Sequence, residues 1–164
     1  MKRIDAIREI MDEVTDEFVI TSTGMISREV FMVNDRERNF YVMGSMGASL
    51  GIGIGIAANV KKDVLVIAGD GDILMSLGTI VLMSKLRLPN LKLVILDNNS
   101  YASTGGQQTC SDGIELDSLY NCVVYRLSNE KGTAPRITLT HNEIMRRFKN
   151  AIAREKNESI TSTD

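Results

Sequence analysis

Four short apolar runs stop abruptly at small or polar residues, and that pattern limits the fold more than any other feature. Phe18-Val19-Ile20 ends at Thr21-Ser22-Thr23-Gly24, and Phe40-Tyr41-Val42-Met43 ends at Gly44-Ser45-Met46-Gly47. Val64-Leu65-Val66-Ile67 leads to Gly69-Asp70-Gly71-Asp72, and Leu91 to Leu96 stops at Asp97-Asn98-Asn99. Short, nearly continuous apolar runs read as strands buried on both faces. The intervening segments read as helices. Ile4, Ile7, Ile10, Met11 and Val14 recur at helical spacing, and further helices are expected over residues 27–33, 47–59 and 73–86. Val123-Val124-Tyr125 suggests a fifth strand, and Ile144, Phe148 and Ile152 a last helix with Asn142 as its N-cap.

Strands alternating with helices predict an α/β domain: a parallel sheet with helices on both faces. Residues 1–156 are expected to form it, with 157–164 a frayed tail. In such sheets ligands bind beyond the carboxyl ends of the strands. The polar clusters should therefore meet at one edge.

Composition removes several function classes. With 164 residues, 43% of them hydrophobic, the chain can bury a core. A net charge of −2 without a long basic run argues against nucleic acid as a partner. Cys110 and Cys122 form neither a C-x-x-C pair nor a disulfide framework, which fits a reducing, cytoplasmic setting. The early charges Asp5, Arg8 and Glu9 do not fit a signal peptide. Tyr41 to Val60 holds 20 uncharged residues, long enough to span a bilayer. Gly44, Ser45, Ser49, Gly53 and Asn59 dilute it, so a buried helix is expected and no membrane partner.

The chemistry concentrates in two turns. The glycines of Gly69-Asp70-Gly71 permit close backbone approach to a ligand, and Asp70 offers a hard oxygen suited to Mg²⁺. Between Gly71 and Asn98 lie 26 residues, room for one helix and one strand, which return Asn98 to the edge that carries Asp70. Gly44 to Gly47 precedes a helix, where backbone N–H groups suit phosphate oxygens, although no G-K-[ST] follows as in a P-loop.

The paired turns resemble the G-D-G…N-N motif of thiamine diphosphate enzymes. That resemblance implies Mg²⁺ held by Asp70, Asn98 and the carbonyl of Ser100, with the metal bridging the cofactor's phosphates. It also implies cofactor contacts from Gly24, Met25, Gly44, Ser45, Met46, Gly69, Gly71, Asp72 and Tyr101. Met25 is either the apolar wedge that bends the cofactor or a core methionine. Asn99 is either the metal-holding member of the asparagine pair, as in some relatives, or a left-handed turn residue, and Asp97 a polar support or a strand end. Ser27-Arg28-Glu29, residues 103–107 and Ala134-Pro135-Arg136-Ile137 resemble the sulfopyruvate and phosphonopyruvate decarboxylase group, closest to its beta-subunit type. The similarity covers residues 21–109 and 134–148.

Membership would imply conversion of a small anionic 2-oxoacid, sulfopyruvate, to sulfoacetaldehyde and CO₂, a step towards coenzyme M. The alternatives are phosphonopyruvate decarboxylation and a non-catalytic cofactor-binding module. The glutamate that activates the cofactor belongs, in the family, to a pyrimidine-binding domain. No catalytic residue is therefore expected on this chain, and a pyrimidine-binding alpha subunit should supply it in a hetero-oligomer. Arg28 either steers the anionic substrate or forms a structural pair with Glu29. Cys110 is expected as a small buried hydrophobe, and His141 as a surface or capping neighbour. Only 24 residues separate Thr109 from Ala134, so at least one α/β unit should be shortened or absent.

Overall fold

The computed structural model describes residues 1–161. In chain order it contains α1 (Arg3–Glu13), β1 (Phe18–Thr21), α2 (Met25–Val33), β2 (Asn39–Tyr41), α3 (Ser49–Ala57), β3 (Val64–Gly69) and α4 (Asp70–Leu74). There follow α5 (Leu77–Leu86), β4 (Leu91–Asp97), β5 (Cys122–Arg126) and α6 (His141–Thr161). The five strands form one sheet in the order β2-β1-β3-β4-β5, every pair parallel.

Alternate residues of each strand serve opposite faces, as the two-residue strand period requires. Val19, Leu65, Ile67, Val94 and Leu96 pack under α1 and α2 with Ile7, Ile10 and Val30. Phe18, Ile20, Val66, Leu93 and Ile95 pack on the other face with Leu50 and Ile54 of α3 and Met83 of α5. Each fully buried aliphatic side chain contributes about 1.5–3 kcal/mol. Gly53 lets α3 lie close on β3, because a Cβ there would collide with Val66. From α6, Phe148 meets the rings of Phe18 and Phe40 at 5.4 and 5.2 Å.

Several expected boundaries differ. The segment from Ile73 to Leu86 is two helices, because Ser76 adopts φ −143° and breaks the α-helical run. Residues 44–48 are not helical, since Gly44 and Gly47 take φ +74° and +94°. The uncharged stretch from Tyr41 to Val60 is thus a strand end, a turn and a nine-residue helix. Among the described residues no helix is long and apolar enough to cross a membrane. Thr140, not Asn142, caps α6: its hydroxyl accepts the Glu143 N–H at 3.3 Å while Glu143 accepts the Thr140 N–H at 2.8 Å. That helix continues through Thr161, over part of the expected frayed tail, and 162–164 lie outside the described residues.

The region expected to be shortened contains little regular structure. Residues 98–121 cross from β4 to β5 with two short 3₁₀ turns, Ser111–Gly113 and Leu116–Ser118, and no α-helix. Residues 127–140 then run without regular structure to α6. Cys110 is exposed, not buried, because it belongs to this irregular crossover.

Candidate cofactor site

The chain leaves β1 towards β2 on one side, while β3 lies on the other, so the sheet order reverses between β1 and β3. That topological switch point is where doubly wound sheets bind ligands. A cavity of about 300 Å³ lies there. It is lined by residues 22–26 after β1, Met46 after β2, residues 69–72 after β3, and Asn98 and residues 100–104 after β4. Ten of the twelve residues expected at a cofactor are therefore together: Gly24, Met25, Met46, Gly69, Asp70, Gly71, Asp72, Asn98, Ser100 and Tyr101. Gly44 and Ser45 are not on the cavity wall. They are exposed, with φ +74° and +38°, and shape the turn that presents Met46.

Asp70 is the first residue of α4 and only 2% exposed. Its carboxylate accepts the Thr109 hydroxyl at 2.5 Å. Behind it, the Ser111 Oγ lies 3.0 Å from Thr109 Oγ1, 2.7 Å from Asn99 Oδ1 and 3.1 Å from Asp97 Oδ1. Arg126 pairs with Asp97 and, at 2.6 Å, with Asp117. Burial pushes the Asp70 carboxyl above its ordinary range; the Thr109 hydrogen bond opposes this and the nearby Asp97 adds to it. Burial also raises Asp72, against hydrogen bonds from the Gly47 N–H and the Ser49 hydroxyl.

The metal-ligand expectation can be tested on these donors. Among the described residues no group of three His, Cys, Asp or Glu could hold an ion. A cation here would need one carboxylate plus neutral oxygens, the hard-donor set that suits Mg²⁺. Asp70, Asn98 and Ser100 offer that set on one wall. The Ser100 ligand would be its carbonyl; the buried hydroxyl of the same residue has no hydrogen-bond partner, which leaves the wall short of one polar contact. A buried carboxylate raised by desolvation is also the group a cation would relieve. The residues fit the ion. Asn98 Oδ1 meanwhile accepts the Ser100 N–H at 3.3 Å, and Asn99 takes φ +52°, the left-handed turn.

Other neighbours carry no motif. Thr109 and Ser111 are isolated hydroxyls in the irregular crossover, and nothing in their spacing marks them. Arg3 also lines the cavity and forms a bidentate ion pair with Glu29 at 2.8 and 2.9 Å. Glu29 thus pairs with Arg3 and not with its neighbour Arg28.

A parallel sheet of this order, with Gly69-Asp70-Gly71 and Asn98-Asn99 after its strands, has the architecture of a thiamine diphosphate-binding domain. Residues 20–157 match the family described as thiamine pyrophosphate enzyme, C-terminal TPP binding domain. The chain is 38% identical to the sulfopyruvate decarboxylase subunit beta of Methanococcus maripaludis, over 93% of this chain and 98% of that one. It is 39% identical to the subunit of the same name from Methanocaldococcus jannaschii, over 94% and 79%. The phosphonopyruvate decarboxylase of Streptomyces viridochromogenes is 36% identical over 76% of this chain and 32% of its own length. The chain belongs to the thiamine diphosphate enzymes and, within them, to the family of sulfopyruvate decarboxylase beta subunits.

Proposed function

We propose that this chain is the diphosphate- and Mg²⁺-binding subunit of a cytoplasmic, thiamine diphosphate-dependent decarboxylase that converts sulfopyruvate to sulfoacetaldehyde and CO₂, the step towards coenzyme M. The observation that carries this reading is the convergence of Asp70, Asn98 and Ser100 on one cavity at the switch point. The Asp70 carboxylate, the Asn98 side-chain oxygen and the Ser100 carbonyl would hold the ion. The turn from Gly44 to Gly47 would flank the diphosphate. Met25 and Met46 supply apolar surface, Met25 beside Gly132 and Met46 beside Gly71. When bound, the cofactor supplies the carbanion-stabilising centre, and the protein orients it and excludes water.

Completion by a pyrimidine-binding alpha subunit is supported by α5. That helix is mostly apolar, with Lys85 its one charged residue, yet Met83 is its one buried residue. Val81 is 70% exposed, and Leu77, Leu82 and Leu86 are exposed beside it. A run of exposed large aliphatic side chains along one helix marks an interaction surface. This face continues through exposed Met75 to Met46 at the cavity, so the subunit that covers it would also reach the cofactor.

Thermal unfolding with thiamine diphosphate and Mg²⁺, with and without the alpha chain, tests the reading. A stabilising shift that Asp70→Ala abolishes, with far-UV circular dichroism retained, is expected. No shift in either condition overturns it. Decarboxylation should appear only on mixing the two chains; turnover by this chain alone would refute the division of labour. Phosphonopyruvate is the competing substrate. Sulfopyruvate is favoured because relatives matched over most of their own length carry that name. A complex that binds the cofactor but turns over neither acid would be the non-catalytic module.

A further inference from the structure

A second recess adjoins the cofactor cavity, and its free charges are positive. It measures about 340 Å³ and is lined by Arg28 and Lys131. Arg3, Gly24, Met25 and Ser103 line both spaces, so the two share a wall.

The three cations are not equivalent. Arg3 is neutralised by its bidentate pair with the buried Glu29. Arg28 is half-buried, and among the described residues its guanidinium makes no hydrogen bond or ion pair. Lys131 is exposed and equally without a partner. The unpartnered Arg28 nitrogens stay accessible to solvent at the rim, so both free cations can meet an anion that enters the recess.

Lys131 is held near Arg28 by packing. A side chain at Gly132 would collide with Arg3, Met25 and Glu29, so this segment sits directly on the ion pair. The Ser128 N–H donates to the Met1 carbonyl at 2.9 Å and fixes the start of the same segment. Across the recess, Ser103 Oγ lies 3.5 Å from the position of a Cβ on Gly24, a hydroxyl donor on the shared wall.

We infer that Arg28 and Lys131 form an anion subsite for the strong-acid pole of the substrate, a sulfonate or phosphonate, with the 2-oxoacid end directed into the cofactor cavity. The inference rests on the proposed decarboxylase function. The division of charge has a chemical reason. A cation gripping the departing carboxylate would stabilise the ground state that decarboxylation must leave. A cation on the opposite pole binds substrate and transition state alike. That pole is kept in the product, so the subsite acts on binding and not on the carbon–carbon bond cleavage.

The test uses the reconstituted two-subunit complex with cofactor and Mg²⁺. Arg28→Ala and Lys131→Ala should each raise KM for sulfopyruvate and phosphonopyruvate by about 10- to 100-fold with kcat little changed. The ratio between the two acids reports which pole is preferred. Arg28→Lys should restore most of the loss. Pyruvate, which has the carboxylate but no second acid, should compete equally well with wild type and variants. A binding readout is 3-sulfopropionate, which carries both acid groups but no ketone, titrated calorimetrically; its affinity should fall by the same factor in Arg28→Ala. Unchanged KM and unchanged 3-sulfopropionate affinity overturn the subsite, as does an equal loss for pyruvate. If the wild-type complex decarboxylates neither acid, the proposed function fails, and the calorimetric titration still decides the subsite.

Discussion

The Asp72 carboxylate reaches back 25 residues to accept the Gly47 N–H at 2.8 Å, and it accepts the Ser49 hydroxyl at 2.5 Å. One side chain thereby ties the turn after β2 to the helix after β3. Gly44 and Gly47 take positive φ freely, but Ser45, at φ +38°, holds a backbone conformation that a non-glycine residue keeps only with support from its surroundings. Asp72 is expected to position the cofactor site through this clamp. Asp72→Ala should destabilise the chain by about 1–3 kcal/mol, since it strands a buried N–H and a buried hydroxyl. It should also weaken cofactor binding while Asp70 stays in place. Calorimetric unfolding with and without thiamine diphosphate and Mg²⁺ measures both. An unchanged melting temperature and cofactor shift would show the clamp to be dispensable.

Gly71 tests the opposite kind of constraint. Its φ is not positive, so no backbone strain opposes a side chain. The obstacle is contact: a Cβ at Gly71 would collide with the Tyr101 ring and come 3.1 Å from the Met46 terminal methyl. Gly71→Ala should cost about 1–3 kcal/mol by overpacking. Tyr101→Ala should relieve it, so the double variant should be more stable than the single effects add up to. Strict additivity by urea unfolding would place the penalty elsewhere.

The sheet was legible because each apolar run has its own polar stop, and these stops converge on one edge in the fold. Asp70 and Asn98 were legible because their separation matches one helix and one strand. Thr109 was not, because a lone hydroxyl donor to Asp70 has no pattern. The break at Ser76 was hidden too: the apolar sequence continues across it, and the close approach of Gly47 to Met75 is tertiary. The cap of α6 was readable in principle, since Thr140 and Glu143 have capping-box spacing. The partner of Glu29 was not, because Arg3 lies 26 positions away.

The outer face of α5 separates folding from assembly. Val81 is 70% exposed, so Val81→Glu should change the stability of the isolated chain by less than about 0.5 kcal/mol. It should nevertheless abolish association with the proposed alpha subunit, because the proposed apolar contact would then bury a charge. Light scattering after size exclusion, with circular dichroism as the fold control, reads both. Undiminished assembly would move the interface off α5.

The two cysteines should part in reactivity and in their effect on alkaline stability. Cys122 lies on β5, half-buried; burial, aided by Asp117, pushes its thiol up to about 12. Only the thiolate is nucleophilic, so iodoacetamide at pH 8 should modify the exposed Cys110 and leave Cys122 unlabelled until the chain unfolds. Peptide mass mapping with and without urea checks this. The shift also carries a linkage. The unfolded thiol loses its proton near 9.0, whereas the folded one keeps it until about 12. Between those values the unfolded state binds fewer protons, so stability falls as pH rises; below that window the contribution is intact. Cys122→Ala should remove this part of the alkaline loss. Equal slopes of unfolding free energy against pH for wild type and variant above pH 9 would show that the thiol is not protected by burial.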